Sequence, residues 1–255
     1  MSASNDSSHN PVSEQPAVPV SVPVSVPVSV PVSVPVSVPV SVPVSASVSA
    51  SVSASVSTPD SGSNAPWQAI LDFWFGAPGS PEYSQTRPEW FRKNAAFDAV
   101  IAERFAALLQ QSLAGQNPHW PATPQAGLAW IVLLDQFTRN SFRDTPGAFA
   151  GDPLALQMAQ TLVANGQDRQ LLPVERWFVY MPFEHAEDMG MQEQALSLFT
   201  QLAQEASGFE GVLDYARRHY EVVARFGRFP HRNAILGRVS TPEEEAFLLQ
   251  PGSRF

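Results

Sequence analysis

A proline at every fourth position governs what the first quarter of this chain can become. From Pro19 to about Pro43 the sequence repeats Pro-Val-Ser-Val, and a Ser-Val-Ser-Ala run continues to about Ser57. Valine at every second residue has the period of a strand, yet each proline lacks the N–H that a ladder needs, which excludes a central strand. The repeat also has no aromatic or large aliphatic side chain whose burial could offset the entropy of ordering it. Residues 1–64 are therefore expected to be a disordered, semi-extended tail. That leaves residues 65–255 to fold, ample for one core.

From Pro66 onward the apolar residues recur at helical spacing, in Ile70-Leu71-Phe73-Trp74, Phe97-Val100-Ile101-Phe105-Leu108-Leu109 and Leu128-Ile131-Val132-Leu134. Outside the tail no window alternates as a strand does. Thr123-Pro124, Asp152-Pro153 and Thr241-Pro242 each read as an N-cap with proline at the first helical position, and Glu244 completes a capping box with Thr241. Gly76, Gly115, Gly166, Gly227 and Gly237 close segments. The expectation is a single all-α domain of short-looped helices over residues 65–255.

Charge narrows the partners. The formal net charge is −9, and the part from residue 65 holds 15 basic and 21 acidic residues. That balance argues against nucleic acid as a partner. No stretch long enough to cross a bilayer is free of charge and proline, so no membrane association is expected. There is no basic leader followed by an apolar run, and there is no cysteine. The default is a cytoplasmic protein without disulfides or thiolate chemistry.

Against that acidic background, the stretch from Ala224 to Arg238 carries Arg225, Arg228, Arg232, Arg238 and His231 with no acid. Gly227 should turn the chain after a long helix, Phe229 should be extended because it precedes proline, and Pro230 should open a short helix. Arg228 and Arg232 would then flank a helix N-terminus, which favours an anion. The competing reading has these arginines paired with the protein's own carboxylates.

Two more segments place polar residues against the apolar pattern. In Asp135-Gln136-Phe137-Thr138-Arg139-Asn140, the pairs Asp135/Arg139 and Gln136/Asn140 are each four apart and share helical faces. In Glu184-His185-Ala186-Glu187-Asp188, a continuous helix would let Glu184, His185 and Asp188 converge, and a carboxylate beside an imidazole supports general base chemistry. The spacings of di-iron bundles and of His-Glu-x-x-His zinc sites are absent, so no metal is assigned. No nucleophile and no cofactor fingerprint is visible, and the cofactor is left unassigned.

Ile70-Leu71-Asp72-Phe73-Trp74-Phe75-Gly76, Leu134-Asp135-Gln136-Phe137-Thr138-Arg139-Asn140, Tyr180-Met181-Pro182-Phe183-Glu184-His185 and Arg228-Phe229-Pro230-His231-Arg232-Asn233 together resemble the bacterial family catalogued as domain of unknown function 924. The resemblance runs from about Pro66 to the C-terminal Pro251-Gly252-Ser253-Arg254-Phe255. It implies stacked antiparallel helical hairpins of tetratricopeptide-like architecture and implies no activity. The 34-residue tetratricopeptide repeat itself is not visible.

The functional expectation is a small anionic ligand bound in a His/Arg/acid cleft, with catalysis undecided. His185, His231, Glu184 and Asp188 are the candidate proton-transfer residues. Asp135, Gln136, Arg139, Asn140, Arg228, Arg232 and Asn233 are the candidate ligand-binding residues. The alternative is a tetratricopeptide-like protein-interaction module with a protein partner. Convergence of Arg228, His185 and Asp135 on one cleft is what the first reading requires.

Overall fold

A computed structural model describes residues 65–116 and 119–254. The expected N-terminal tail lies outside these described residues. The described chain is all-α: α1 (Pro66–Phe75), α2 (Ala95–Leu113), α3 (Pro124–Ile131), α4 (Thr138–Ser141), α5 (Asp152–Ala164), α6 (Pro173–Glu184), α7 (Met189–Glu205), α8 (Glu210–Phe226) and α9 (Pro242–Leu248). Short 3-10 turns fill several connections, including Pro146–Phe149 and Pro230–Arg232.

The centre is α3, which is buried except at Gln125 and runs through a π-helical segment, Val132–Phe137, into α4. Apart from Gln125, α3 is made of alanine, glycine, proline, aliphatic and tryptophan side chains and has no polar stripe to show to water, so neighbours must cover it. Helices α1, α5 and α6 pack on it. Gly151, just before α5, permits a close approach to the π segment, because a Cβ there would stand 2.1 Å from the carbonyl oxygen of Leu134. The entry to α5 thus rests directly on the π segment.

Thr123 caps α3 through the Ala126 N–H at 3.2 Å, and Thr241 with Glu244 forms the capping box of α9. Asp152 departs from its expected role: the cap position is Gly151, and the Asp152 side chain turns away from the helix end. Farther along, α6, α7 and α8 pack as sequential neighbours. A buried chain of hydrogen bonds runs from Arg176 to the Tyr180 hydroxyl (3.0 Å) and from that hydroxyl to Asp168 (2.6 Å), which ties the turn before α6 to its centre. Burial and the Asp168 acceptor push the Tyr180 phenol up to about 12.

The main core joins α1, α2, α3, the π segment, α5, α6, α7 and the start of α8. A second, smaller cluster of Val222, Val223 and Phe229 is covered by Met189, Phe226 and Phe247. It seats the Pro230–Arg232 turn against α8 and α9. Gly227 takes φ +69° at the end of α8, and Phe229 is extended (φ −91°, ψ 107°), the conformations that glycine and a following proline dictate. No helix among the described residues is long and apolar enough to cross a membrane.

Candidate functional site

The π segment presents Asp135 and its neighbours to the middle of the molecule. A π turn breaks the usual i→i+4 ladder, and side chains take up the carbonyls it leaves. The Thr138 hydroxyl donates to Leu134 O at 2.8 Å, and Arg139 Nη1 donates to Asp135 O at 2.7 Å. Local backbone need therefore fixes the Arg139 guanidinium before any tertiary contact is counted.

The Asp135 carboxylate is 1% exposed and has three partners. Arg139 Nη1 lies 3.1 Å from Oδ1, His185 Nδ1 lies 2.7 Å from the same oxygen, and Gln136 Nε2 donates to Oδ2 at 2.5 Å. Burial acts to raise the Asp135 pKa, but Arg139 and then His185 outweigh it and hold the carboxyl well below its usual range. An ionised Asp135 can only accept, so the His185 proton sits on Nδ1 and its Nε2 carries the lone pair. Burial, reinforced by the Arg139 charge, lowers the His185 pKa against the opposing pull of Asp135. His185 stands at the C-terminal cap of α6, and 11% of its side chain remains exposed.

Arg139 extends the network outward. Its Nη1 and Nη2 donate to the two oxygens of Asp152 at 2.7 and 3.1 Å, a bidentate pair. The same carboxylate faces Arg232 Nη1 at 3.6 Å. Arg232 is 7% exposed, lies between the faces of Phe149 (4.7 Å) and Phe229 (4.5 Å), and has a buried Nε with no hydrogen-bond partner. Burial and then the Arg139 charge pull its pKa down to about 10, despite Asp152, Glu187 and Asp135. One aspartate thus serves two guanidiniums, and Arg232 has the weaker share.

A second acid–imidazole pair lies alongside. His219 Nδ1 is 2.7 Å from Glu184 Oε1 and 2.9 Å from Tyr215 O, and the His185 and His219 rings are 6.1 Å apart. His231 packs 5.7 Å from the Phe229 ring, and burial together with the Arg232 and His219 charges pushes it down to about 3. Gln192 binds the α6 end from beneath, donating to Glu184 O (2.6 Å) and Ala186 O (2.8 Å).

Several expected members lie elsewhere. Asp188 does not converge with Glu184 and His185, because the helix ends at Glu184 and Asp188 becomes the N-cap of α7, accepting from Met191 N at 2.9 Å. Arg228, expected to clamp a ligand together with Arg232, is paired within the protein. It is bound by Glu244 at 2.6 and 2.8 Å and by Val239 O, and it is the chief cause that Glu244 falls to about 2. Asn233 joins the same knot through Ser240 Oγ and Glu244. Arg225 pairs with Glu243, and Arg238 with Glu187, whose carboxylate also accepts the Phe229 N–H. Asn140 donates to Asp98 on α2 beside Arg143. Asp135 and His185 thus meet, but Arg228 is held by α9, so the convergence of all three that the ligand expectation required does not occur. Of the four arginines of the cationic run, Arg232 is the one turned inward.

Two grooves open elsewhere on the surface. One is lined by Leu196, Ser197, Thr200, Gln201 and Gln204. The other, of about 370 Å³, includes Trp120, Trp130 and Met158. Neither includes the acid–imidazole residues. Among the described residues no group of three or more His, Asp or Glu side chains is arranged to hold a metal ion.

The model of a family described as "Bacterial protein of unknown function (DUF924)" matches residues 70–252. The chain belongs to this family. A solved structure of a protein of unknown function from Agrobacterium tumefaciens is similar to it, with 38% sequence identity and a TM-score of 0.62, covering 72% of this chain and 96% of that one. No curated protein matches. Within this DUF924 chain, sequence reasoning missed Asp152, Phe149, Phe229 and Gln192 as parts of the network. Asp152 carried the one usable signal, since an acid ahead of proline reads as a cap and its second capability went unweighed. The other three are visible only once distant segments are brought together.

Proposed function

We propose that the protein binds a small oxyanion-bearing molecule at Arg232, next to the Asp135–His185 pair. The observation that carries this reading is the incomplete pairing of Arg232. A buried guanidinium with an unpartnered Nε, a shared carboxylate at 3.6 Å and a depressed pKa is a cation that an incoming carboxylate or phosphate would compensate. Aromatic faces on both sides support it by holding the guanidinium plane in one orientation. Asp152, at 21% side-chain exposure, marks the wetter end of the network, where a ligand would enter.

A peptide groove is less well supported, because the groove that includes Trp120 and Trp130 has no arginine in its lining, and Arg232 is buried away from it. The test is thermal unfolding of the full-length protein with inorganic phosphate and with acetate, in wild type and in Arg232→Met. Ligand at a hundred times its dissociation constant adds about 2.7 kcal/mol, or roughly 5–10 °C for a domain of this size. A shift in wild type that vanishes in the variant supports the reading. No shift with any oxyanion, or a shift that survives in Arg232→Met, rejects it.

A further inference from the structure

We infer that His185 is the proton acceptor of this site and that Asp135 is its positioning residue, so that the protein removes a proton from a C–H or O–H of the molecule anchored at Arg232. The inference rests on the oxyanion reading for its substrate class, and on separate geometry for its base.

Three histidines lie in this region, and the structure separates their capacities. His219 spends Nδ1 on both Glu184 and Tyr215 O and is 6% exposed, tying α8 to the end of α6. His231 is held neutral far below its ordinary range, which makes it too weak a base at neutral pH. His185 is also lowered by burial and by Arg139, but the Asp135 carboxylate in contact with it opposes that fall, and its side chain is 11% exposed against 6% for His219. The His185 Nδ1–H is committed to Asp135, which leaves Nε2 as the basic nitrogen. Asp135 is fixed by three donors, so it holds the imidazole in one tautomer and orientation.

In the step itself the substrate's C–H or O–H bond breaks, its electron pair stays on the substrate, and the proton forms a bond to His185 Nε2. Asp135 stabilises the resulting imidazolium. The proton then returns to the product, so no oxidant, reductant or co-reactant is required. The charged and titratable groups that set the basicity of His185 are Asp135 and Arg139 from the π segment and α4, Glu184 beside it on α6, His219 on α8, and His231 on the Pro230–Arg232 turn.

The probe is diethyl pyrocarbonate on the full-length protein, with the site of modification mapped by peptide mass spectrometry. A neutral imidazole attacks the reagent's carbonyl carbon, forming an N–C bond and expelling ethyl carbonate, so the rate reports an accessible, unprotonated Nε2. His185 should be modified in the folded protein at neutral pH, with a sigmoidal pH profile. In Asp135→Asn the midpoint of that profile should fall by about one unit, since a neighbouring negative charge is lost. A merely structural Asp135 would leave the midpoint in place. Phosphate at ten times its dissociation constant should slow the reaction about tenfold, and Arg232→Met should abolish that protection.

If His185 is unreactive until the protein is denatured, the proposal is overturned, because Nε2 then has no path to a substrate. A reactive His185 whose midpoint is unmoved in Asp135→Asn overturns the positioning role. Should Asp135→Asn fail to fold, Gln136→Leu, which removes a donor to the same carboxylate, must shift the midpoint upward, and no shift overturns that role too. Reaction with the expected midpoints but without phosphate protection supports His185 as the base and overturns the oxyanion reading of Arg232.

Discussion

Replacing Arg232 with methionine should leave the protein about as stable as it was, although the residue is buried and charged. The guanidinium's fall from 12.5 to about 10 means that folding disfavours its charge by about 3 kcal/mol. Removing the charge returns that amount. Against it stands the loss of two guanidinium–ring contacts, at 4.5 and 4.7 Å, worth together roughly 1–3 kcal/mol. Methionine fills similar space between the rings and makes sulfur–aromatic contacts of its own. Asp152 keeps its bidentate partner Arg139.

The net change expected for Arg232→Met is therefore within about 1 kcal/mol, a midpoint shift of roughly 2–4 °C in either direction. Arg139→Met is the matched contrast. It takes the guanidinium from both buried carboxylates, leaving Asp135 to His185 and Gln136 and Asp152 to Arg232 at 3.6 Å, and should cost about 3–5 kcal/mol. Urea unfolding of both variants at pH 7, with thermal scans alongside, measures the difference. A loss above about 3 kcal/mol in Arg232→Met would refute the reasoning, because Arg232 would then be a satisfied structural cation with nothing left to offer a ligand.

Other consequences can be checked on the same preparations. Gly151→Ala should destabilise by about 1–3 kcal/mol or more, because its Cβ meets the Leu134 carbonyl, and calorimetry should show the loss. His231 has a folded pKa of about 3, below its unfolded value of 6.5, so the unfolded chain takes up the proton first. Its contribution is complete above pH 6.5 and is lost as pH falls toward 3, at up to about 1.4 kcal/mol per unit. His231→Asn should flatten the stability profile in that window. For Glu244, depressed from 4.5 to about 2 chiefly by Arg228, the contribution is present above pH 4.5 and is lost as pH falls through 2. Glu244→Gln should lower stability at pH 7 and remove that acid dependence, as read by urea midpoints across the range.

The helical grammar of this chain was legible because it is local. Thr123 and Thr241 cap, Gly227 turns left-handed and Phe229 extends, each dictated by its own side chain or by the residue that follows. The Asp135–Arg139 pair was legible for the same reason. What stayed hidden depends on partners far along the chain. Asp135 and His185 are 50 residues apart, and the choice of Arg232 over Arg228 as the inward arginine depends on Glu244 and Glu187 claiming the other cations. Asp188 misled because helical spacing was extended past the end of α6. Periodicity states which residues share a face only while the helix lasts.

The six π-helical residues between α3 and α4 have an effect that reaches beyond their own hydrogen bonds. A π turn accommodates one residue more than the α-helix around it. Deleting a single amino acid between Val132 and Phe137 would let the segment wind back into a regular α-helix with most of its apolar side chains still available for packing. The residues beyond the deletion would keep their register with α3, because the wide turn had absorbed the surplus residue, while those inside the segment would be re-aimed. Asp135 would no longer face Arg139 and His185 together, and the charge network would come apart inside an otherwise intact helix. The alignment of acid, imidazole and guanidinium is in this sense a matter of counting, set by one surplus residue in the middle of the most buried helix of the protein.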